Sequence, residues 1–455
     1  MIHKYKLNGF PICLDVNSGA VHVLDDCSFD LLDHVNEDFF PPELTEEMLA
    51  SLSGRYSNEE LTGAYQELLE LKKAGLLFSE DTYERFADMM TAAPVKAMCL
   101  NVAHDCNLRC EYCFAAKGVS VGTDADAFKI GKKAVDFLLE KSGTRHNLEM
   151  DFFGGEPLMN FDVVKQVVSY ARSKEKEYNK NFRFTITTNG LLLTDDKIEF
   201  INREMSNCVL SLDGRKEVND RLRIKINGKG CYNQIVPQYQ KLVAGRGDKE
   251  YYARGTFTKY NLDFTQDVLH MADLGFDQVS VEPVVSDPML DYSIKEEDLP
   301  RVFQEYETLA NELIQRKKEG KGFNFFHFMI DLNQGPCAIK RLRGCGCGNE
   351  YVAVTPDGEI YPCHQFVGNP EWKMGDLNDG SFNMDMKLRF AKSNVYSKHD
   401  CKSCWAKFYC SGGCNANSWQ YEGDILKSHK ISCDLEKKRL ECAIMIKAAL
   451  AAEES

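Results

Sequence analysis

Three cysteines, Cys106-x3-Cys110-x2-Cys113, are close enough in the chain to share one loop. Three thiolates can hold three irons of a four-iron cube and leave the fourth iron an open coordination position. The amine and carboxylate of a bound ligand could fill that position. Zinc is the competing chemistry; it needs a fourth donor, and His104 is the nearest candidate. A second array, Cys401-x2-Cys404-x5-Cys410-x3-Cys414 followed by Cys433, offers more donors than one tetrahedral ion takes, and Cys337, Cys345, Cys347 and Cys363 precede it. Structural zinc stays open for the downstream quartet, because spacing does not read the metal. Cys13, Cys27, Cys99, Cys208, Cys231 and Cys442 are scattered among presumed secondary elements, where a buried thiol is the default.

The compartment bears on that chemistry. Residues 1–20 hold His3, Lys4, Lys6 and Asp15 among scattered apolar positions and contain no apolar run of signal-peptide or membrane-spanning length. This predicts a cytoplasmic protein with no membrane partner. In a reducing compartment clustered thiols read as metal ligands or redox groups rather than disulfides. The chain's 455 residues are enough for two or three domains whose cores need no disulfides, so stability does not explain 18 cysteines. The formal charge of −14 argues against nonspecific nucleic-acid binding, which requires Lys and Arg to neutralise phosphates.

The elements that must position the cysteines divide the chain in three. Residues 1–90 open with strands over Tyr5 to Leu14 and Ala20 to Val23, joined by Asp15-Val16-Asn17-Ser18-Gly19, and continue into helical patterns at Phe29 to Val35 and Asn58 to Ala74. This unit resembles a winged helix. It carries 6 Lys and Arg against 18 Asp and Glu, a net −12, which repels DNA. Residues 91–335 alternate strands with helices. The expected strands are Val95 to Val102, Leu148 to Phe153, Phe182 to Thr188, Cys208 to Leu212, Tyr252 to Phe257 and Gln278 to Val285. Six such units fit an α/β partial barrel whose strand C-terminal ends form the active-site rim, and the three-cysteine loop follows the first of them. Residues 336–455 turn to Gly, Pro and Cys-rich loops, with a hairpin expected at Tyr351 to Val354 and Glu359 to Tyr361 and a closing helix from Leu435 to Ala452. Clusters would supply much of the folding energy there.

The loop Cys106-x3-Cys110-x2-Cys113, with Tyr112 before the last cysteine, resembles the radical S-adenosylmethionine (radical SAM) enzymes. Further marks follow in that family's order. Gly154-Gly155-Glu156-Pro157 looks like the motif that receives the methionine amino group, its glycines permitting close approach and Glu156 accepting hydrogen bonds from a cation. Thr188-Asn189-Gly190 closes the third strand and Ser211-Leu212-Asp213-Gly214 the fourth. The resemblance implies that Ser211 and its neighbours reach the ribose and that Arg254 pairs with the methionine carboxylate; Thr188, Asn189, Asp213 and Glu282 are further candidates for the cofactor pocket. Strand-end Ser, Asp and Arg also serve as caps or surface pairs, and Asp213 could orient its turn instead. The cysteine-rich end is similar to the SPASM extension of enzymes that modify ribosomally made peptides. The pattern begins at Cys345, passes Gly358 and Cys363 and finishes at Cys433. That family's pairing implies Cys401, Cys404, Cys410 and Cys433 on a distal auxiliary cluster, and Cys345, Cys363 and Cys414 on a proximal one. Cys337 could close the proximal cluster, or a substrate thiolate could take the open iron; Cys347 stands where the family has a small residue.

Over essentially its whole length the chain resembles the maturases of short six-cysteine (SCIFF) peptides. The resemblance implies S-adenosyl-L-methionine and three [4Fe-4S] clusters as cofactors. It also implies a ribosomally synthesised, Cys-rich precursor whose leader is held by residues 1–90, and an external one-electron reductant such as flavodoxin or ferredoxin. The expected reaction joins cysteine sulfur to a threonine carbon: a 5'-deoxyadenosyl radical removes hydrogen and an auxiliary cluster accepts the surplus electron. Formylglycine formation on a Cys or Ser of a protein is the alternative within enzymes, and a noncatalytic electron-transfer protein the alternative outside them.

Overall fold

The computed structural model describes residues 1–87, 89–113, 124–332 and 338–454. The N-terminal sheet has three antiparallel strands, β1 (Ile2–Leu7), β2 (Phe10–Asp15) and β3 (Val21–Val23), in the order β1-β2-β3. The stretch Tyr5 to Leu14, expected as one strand, is therefore two. It folds back at Asn8-Gly9, both in the left-handed region at φ 51° and 78°, as a two-residue Asn-Gly hairpin requires. The helices Asp26–Leu31, Glu46–Leu52 and Asn58–Lys73 pack on this sheet around Leu31, Tyr65 and Leu68. The last begins with a capping box in which Ser57 and Glu60 each bond the other's backbone N–H.

The main sheet is built from β4 (Ala97–Ala103), β5 (Asn147–Gly154), β6 (Asn181–Thr188), β7 (Met205–Ser211), β8 (Glu250–Phe257) and β9 (Gln278–Pro283), parallel and side by side in chain order. The short β10 (Asn324–Phe325) adds beyond β9. On the other side β11 (Tyr351–Val354) pairs parallel with β4, and β12 (Glu359–Tyr361), β13 (Gly375–Asp376) and β14 (Ser381–Phe382) follow antiparallel. The cysteine-rich segment thus continues the sheet of the strand-helix units. Its hairpin β11–β12 has the expected bounds.

Burial along these strands alternates. Phe182, Phe184 and Ile186 of β6 pack with Val163, Val164 and Val167 of the helix Phe161–Tyr178. The opposite face carries Asp151, Thr185, Thr187, Ser211, Arg254 and Glu282, none of them fully buried. A parallel sheet covered on both faces would read apolar throughout; this alternation is that of a sheet whose concave side is polar and open. The long helix Lys430–Glu454 closes the chain. It packs on the helix Leu299–Lys318 and on the N-terminal sheet, where the Tyr5 hydroxyl donates to the Glu441 carbonyl at 2.9 Å and His3 stacks on Trp405. Among the described residues no helix is long and apolar enough to cross a membrane.

Candidate functional site

The loop after β4 is held by backbone contacts on both flanks. On one side the Arg109 N–H donates to the Ile224 carbonyl at 2.7 Å and Leu108 bridges Lys225. On the other, Gly155 donates to Ala103 O at 2.8 Å and Glu156 to Asp105 O at 3.0 Å. A Cβ on Gly154 would sit 2.2 Å from Ala103 O, and one on Gly155 2.0 Å from Asp105 O. Both positions therefore exclude any side chain, and the close approach that the motif permits is to the cysteine loop itself.

Glu156 is buried and fully engaged. Its Oε1 accepts from the Thr188 hydroxyl at 2.7 Å and the Leu158 N–H at 3.0 Å, and its Oε2 from the Asn189 N–H at 2.8 Å. Burial pushes its pKa up despite these bonds. Pro157 opens the short turn Pro157–Asn160 that Glu156 caps. The Asn189 amide reaches the Cys106 sulfur at 3.4 Å and Asn107 Oδ1 at 2.7 Å, so the end of β6 contacts the loop directly. Cys106, Cys110 and Cys113 lie within electrostatic reach of one another. Burial pushes the Cys110 thiol up to about 12, so binding a metal there releases its proton.

Behind the loop is a buried chain that sequence reasoning missed in part. The Tyr112 hydroxyl donates to Asp213 Oδ2 at 2.6 Å, Arg223 Nη1 donates to that hydroxyl at 2.7 Å, and Arg223 and Asp213 approach to 3.6 Å. Asp213 Oδ1 also takes the Thr256 N–H at 3.1 Å. Tyr112 and Asp213 were legible from their motifs; Arg223 had no motif to mark it. Tyr239 bridges the ends of β6 and β7, its hydroxyl donating to the Thr188 and Ser211 carbonyls at 3.1 and 3.2 Å. Across the concave face Arg254 pairs with Glu282 at 2.5 Å. His327 bonds Ser280 at 3.2 Å and Arg439 at 3.0 Å, and burial lowers its pKa to about 3, so it is neutral. Arg439 and His327 too went unnoticed in the sequence, because the closing helix supplies one and a short turn after β10 the other.

Eight further cysteines form two groups, while Cys13, Cys27, Cys99, Cys208, Cys231 and Cys442 are buried and belong to neither. Cys345, Cys347, Cys363 and Cys414 lie within electrostatic reach of one another, with the free thiols of Cys347 and Cys363 hydrogen-bonded, while Cys401, Cys404, Cys410 and Cys433 form the second group. Cys337 lies outside the described residues. Three thiols on one loop and two further gatherings of four match the donor sets of iron-sulfur clusters.

A family model described as a 4Fe-4S single cluster domain matches residues 96–237, and one described as an iron-sulfur cluster-binding domain, SPASM, matches residues 345–405. The radical SAM cyclopropyl synthase TigE of Paramaledivibacter caminithermalis is 21% identical over 391 residues, 79% of this chain and 76% of that one. The chain carries a radical SAM domain followed by a SPASM domain. Its other relatives include the cysteine-type anaerobic sulfatase-maturating enzyme of Clostridium novyi (strain NT), 26% identical over 336 residues, 69% of this chain and 86% of that one. The radical SAM fold is also that of native anSMEcpe, solved with bound AdoMet and Cp18Cys peptide; the TM-score is 0.65 at 19% identity, over 80% of this chain and all of the other. Both matched segments are thus iron-sulfur cluster domains, which indicates [4Fe-4S] clusters; the first contains the loop after β4 and the second lies in the cysteine-rich end.

Proposed function

We propose that this radical SAM SPASM protein is a peptide maturase that forms cysteine-to-threonine thioether crosslinks in a ribosomally synthesised, Cys-rich precursor. The observation that carries the proposal is the continuity of the sheet. Because β11 pairs with β4, Cys363 after β12 lies beside Cys99 and Tyr351, and the Cys345–Cys363–Cys414 group adjoins the sheet that bears the Cys106 loop. When bound, S-adenosylmethionine and its cluster would supply a primary carbon radical able to take hydrogen from a peptide carbon. The chain's own residues would then hold and orient. Glu156 and Asn189 fix the Cys106 loop, Arg254 and Glu282 present a charged pair on the concave face, and the auxiliary thiolates would hold an iron-sulfur cluster that could bind a substrate thiolate at iron and take up an electron. The reading has three [4Fe-4S] clusters, with Cys401, Cys404, Cys410 and Cys433 on the distal one and Cys345, Cys363 and Cys414 on the proximal one.

Formylglycine formation is the second reading, favoured by relatives named as anaerobic sulfatase-maturating enzymes. Incubation of the reduced, cluster-loaded protein with S-adenosylmethionine and a Cys-rich peptide encoded beside its gene separates the two. Crosslinking removes two hydrogens per bond and blocks one thiol, with fragmentation suppressed between the joined residues. A product that instead carries an aldehyde and retains no sulfur link would defeat the proposal.

A further inference from the structure

Lys398 is 2% exposed, one of the most deeply buried large side chains of the protein. Its Nζ donates to the Gly412 carbonyl at 2.6 Å, and among the described residues no carboxylate comes within ion-pair distance of it. A buried ammonium with one neutral partner is costly unless other negative charge lies near. The candidates are sulfurs. Burial lowers the pKa of Lys398, and Cys401, Cys410, Cys414 and Cys433 oppose that; Cys345 and Cys401 in turn feel the lysine. These thiols come from both auxiliary groups.

The backbone explains how one lysine reaches both. Ser411, Gly412 and Gly413 are all left-handed, at φ 58°, 87° and 68°, in the turn that separates Cys410 from Cys414. That turn sends Cys410 to one group and Cys414 to the other, and it aims the Gly412 carbonyl at the ammonium. A Cβ on Gly412 would already touch the Lys398 stem, at 3.5 Å from Cδ. The lysine is also tied to the distal group, since the Cys401 N–H donates to the Lys398 carbonyl at 3.2 Å.

We propose that the Lys398 ammonium is the shared counter-ion of two auxiliary iron-sulfur clusters and holds both at a higher reduction potential than they would have without it. This rests on the two-cluster reading above. A cluster gains negative charge on reduction, so a fixed cation in a poorly polarisable interior favours the reduced form. Raised potentials suit centres that must take up an electron released at the substrate.

The test is a spectroelectrochemical titration, followed by electron paramagnetic resonance, of protein in which Cys106, Cys110 and Cys113 are all changed to Ala, so that only auxiliary clusters report. Iron and sulfide in this parent are measured first: fewer than two auxiliary clusters would overturn the two-cluster reading and this inference together. With both loaded, Lys398→Gln keeps a donor for Gly412 but removes the charge. It is expected to lower the reduced-to-oxidised ratio of both clusters about tenfold at fixed potential, about 59 mV for one electron. Unchanged potentials in the fully loaded Lys398→Gln protein would overturn the inference alone and leave the lysine as a peg for the turn. If Lys398→Gln loads no auxiliary iron, Lys398→Arg decides: loading restored by that cation supports the counter-ion role, and continued failure overturns it.

Discussion

Arg223 shows what a single side chain contributes where no motif marks it. Its guanidinium is buried against Asp213 and the hydroxyl of Tyr112, which belongs to the Cys106–Cys113 loop, so the pair anchors that loop from below. Breaking a buried pair leaves the other charge uncompensated, at a cost of about 3–5 kcal/mol. Arg223→Met should therefore destabilise the protein by roughly that amount in chemical denaturation, whereas Tyr112→Phe, which removes hydrogen bonds but no charge, should cost about 1–3 kcal/mol. Equal and small losses for the two would show that the chain behind the loop does not bear on stability. The legibility of these residues follows from their spacing. Cys106, Cys110, Cys113, Glu156 and Asn189 lie in short patterns whose partners are one or two strands away. Arg223 acts only because residues 222–225 fold back on the loop, through the Glu111 N–H to the Leu222 carbonyl and the Arg109 N–H to the Ile224 carbonyl, and no local pattern announces that return.

Among the elements, β4, β5 and the loop between β4 and its helix work as one unit, and the glycines are what let them. Gly155 has no unusual φ; sterics alone forbid a side chain there, because Asp105 O already occupies the position of its Cβ. Gly155→Ala is expected to displace the cysteine loop, removing the iron it binds and lowering S-adenosylmethionine cleavage by at least about tenfold, since small misplacements of positioned groups cost about a hundredfold. Iron bound by residues 345–433 should be retained. Gly54, which has nothing within 4 Å of its would-be Cβ, supplies the control Gly54→Ala. Retention of full loop iron and cleavage in Gly155→Ala would refute this reading of the motif. The strands themselves were readable because each has its own apolar alternation; the widest gap is the start of β7, expected at Cys208 and found at Met205. The Asn8-Gly9 turn carried its signal too, but the apolar residues on both sides hid it within one apparent strand. The pairing of β11 with β4 had no local signal at all, since two segments some 250 residues apart meet only when the sheet assembles.

At the scale of the whole molecule, the N-terminal sheet is bound on one face to the rest of the protein, and among the described residues neither of its edge strands, β1 and β3, pairs with a further strand. Leu7, Ile12 and Leu14 belong to the main core, which includes Leu435 and Met445 of the closing helix, while Cys13 faces the small N-terminal core. Residues 1–90 share their apolar surface with the body, so their role is best tested in the full chain. We propose that they hold the precursor's leader as an added strand. The edge that supports this is β3. Leu24 N–H donates to Pro11 O and Ala20 O accepts from Asp15 N–H, so by alternation the N–H and C=O groups of Val21 and Val23 point away from β2. Among the described residues no strand pairs with that side, and Val23 is 52% exposed. Such an edge attracts extended chains unless something covers it. Val23→Pro removes one outward donor without touching the ladder to β2, so it should weaken precursor binding at least about tenfold, the equivalent of a lost hydrogen bond of about 1.4 kcal/mol. S-adenosylmethionine cleavage and modification of a leaderless core peptide, which never used the edge, should persist. Hydrogen exchange on the full-length protein gives the independent measure: adding the leader should slow the amides of Val21 and Val23 and leave those of β1 unchanged. Slowing confined to β1, or precursor affinity unaltered in Val23→Pro, would place the leader elsewhere and leave the N-terminal sheet as a brace between the closing helix and the cysteine-rich end.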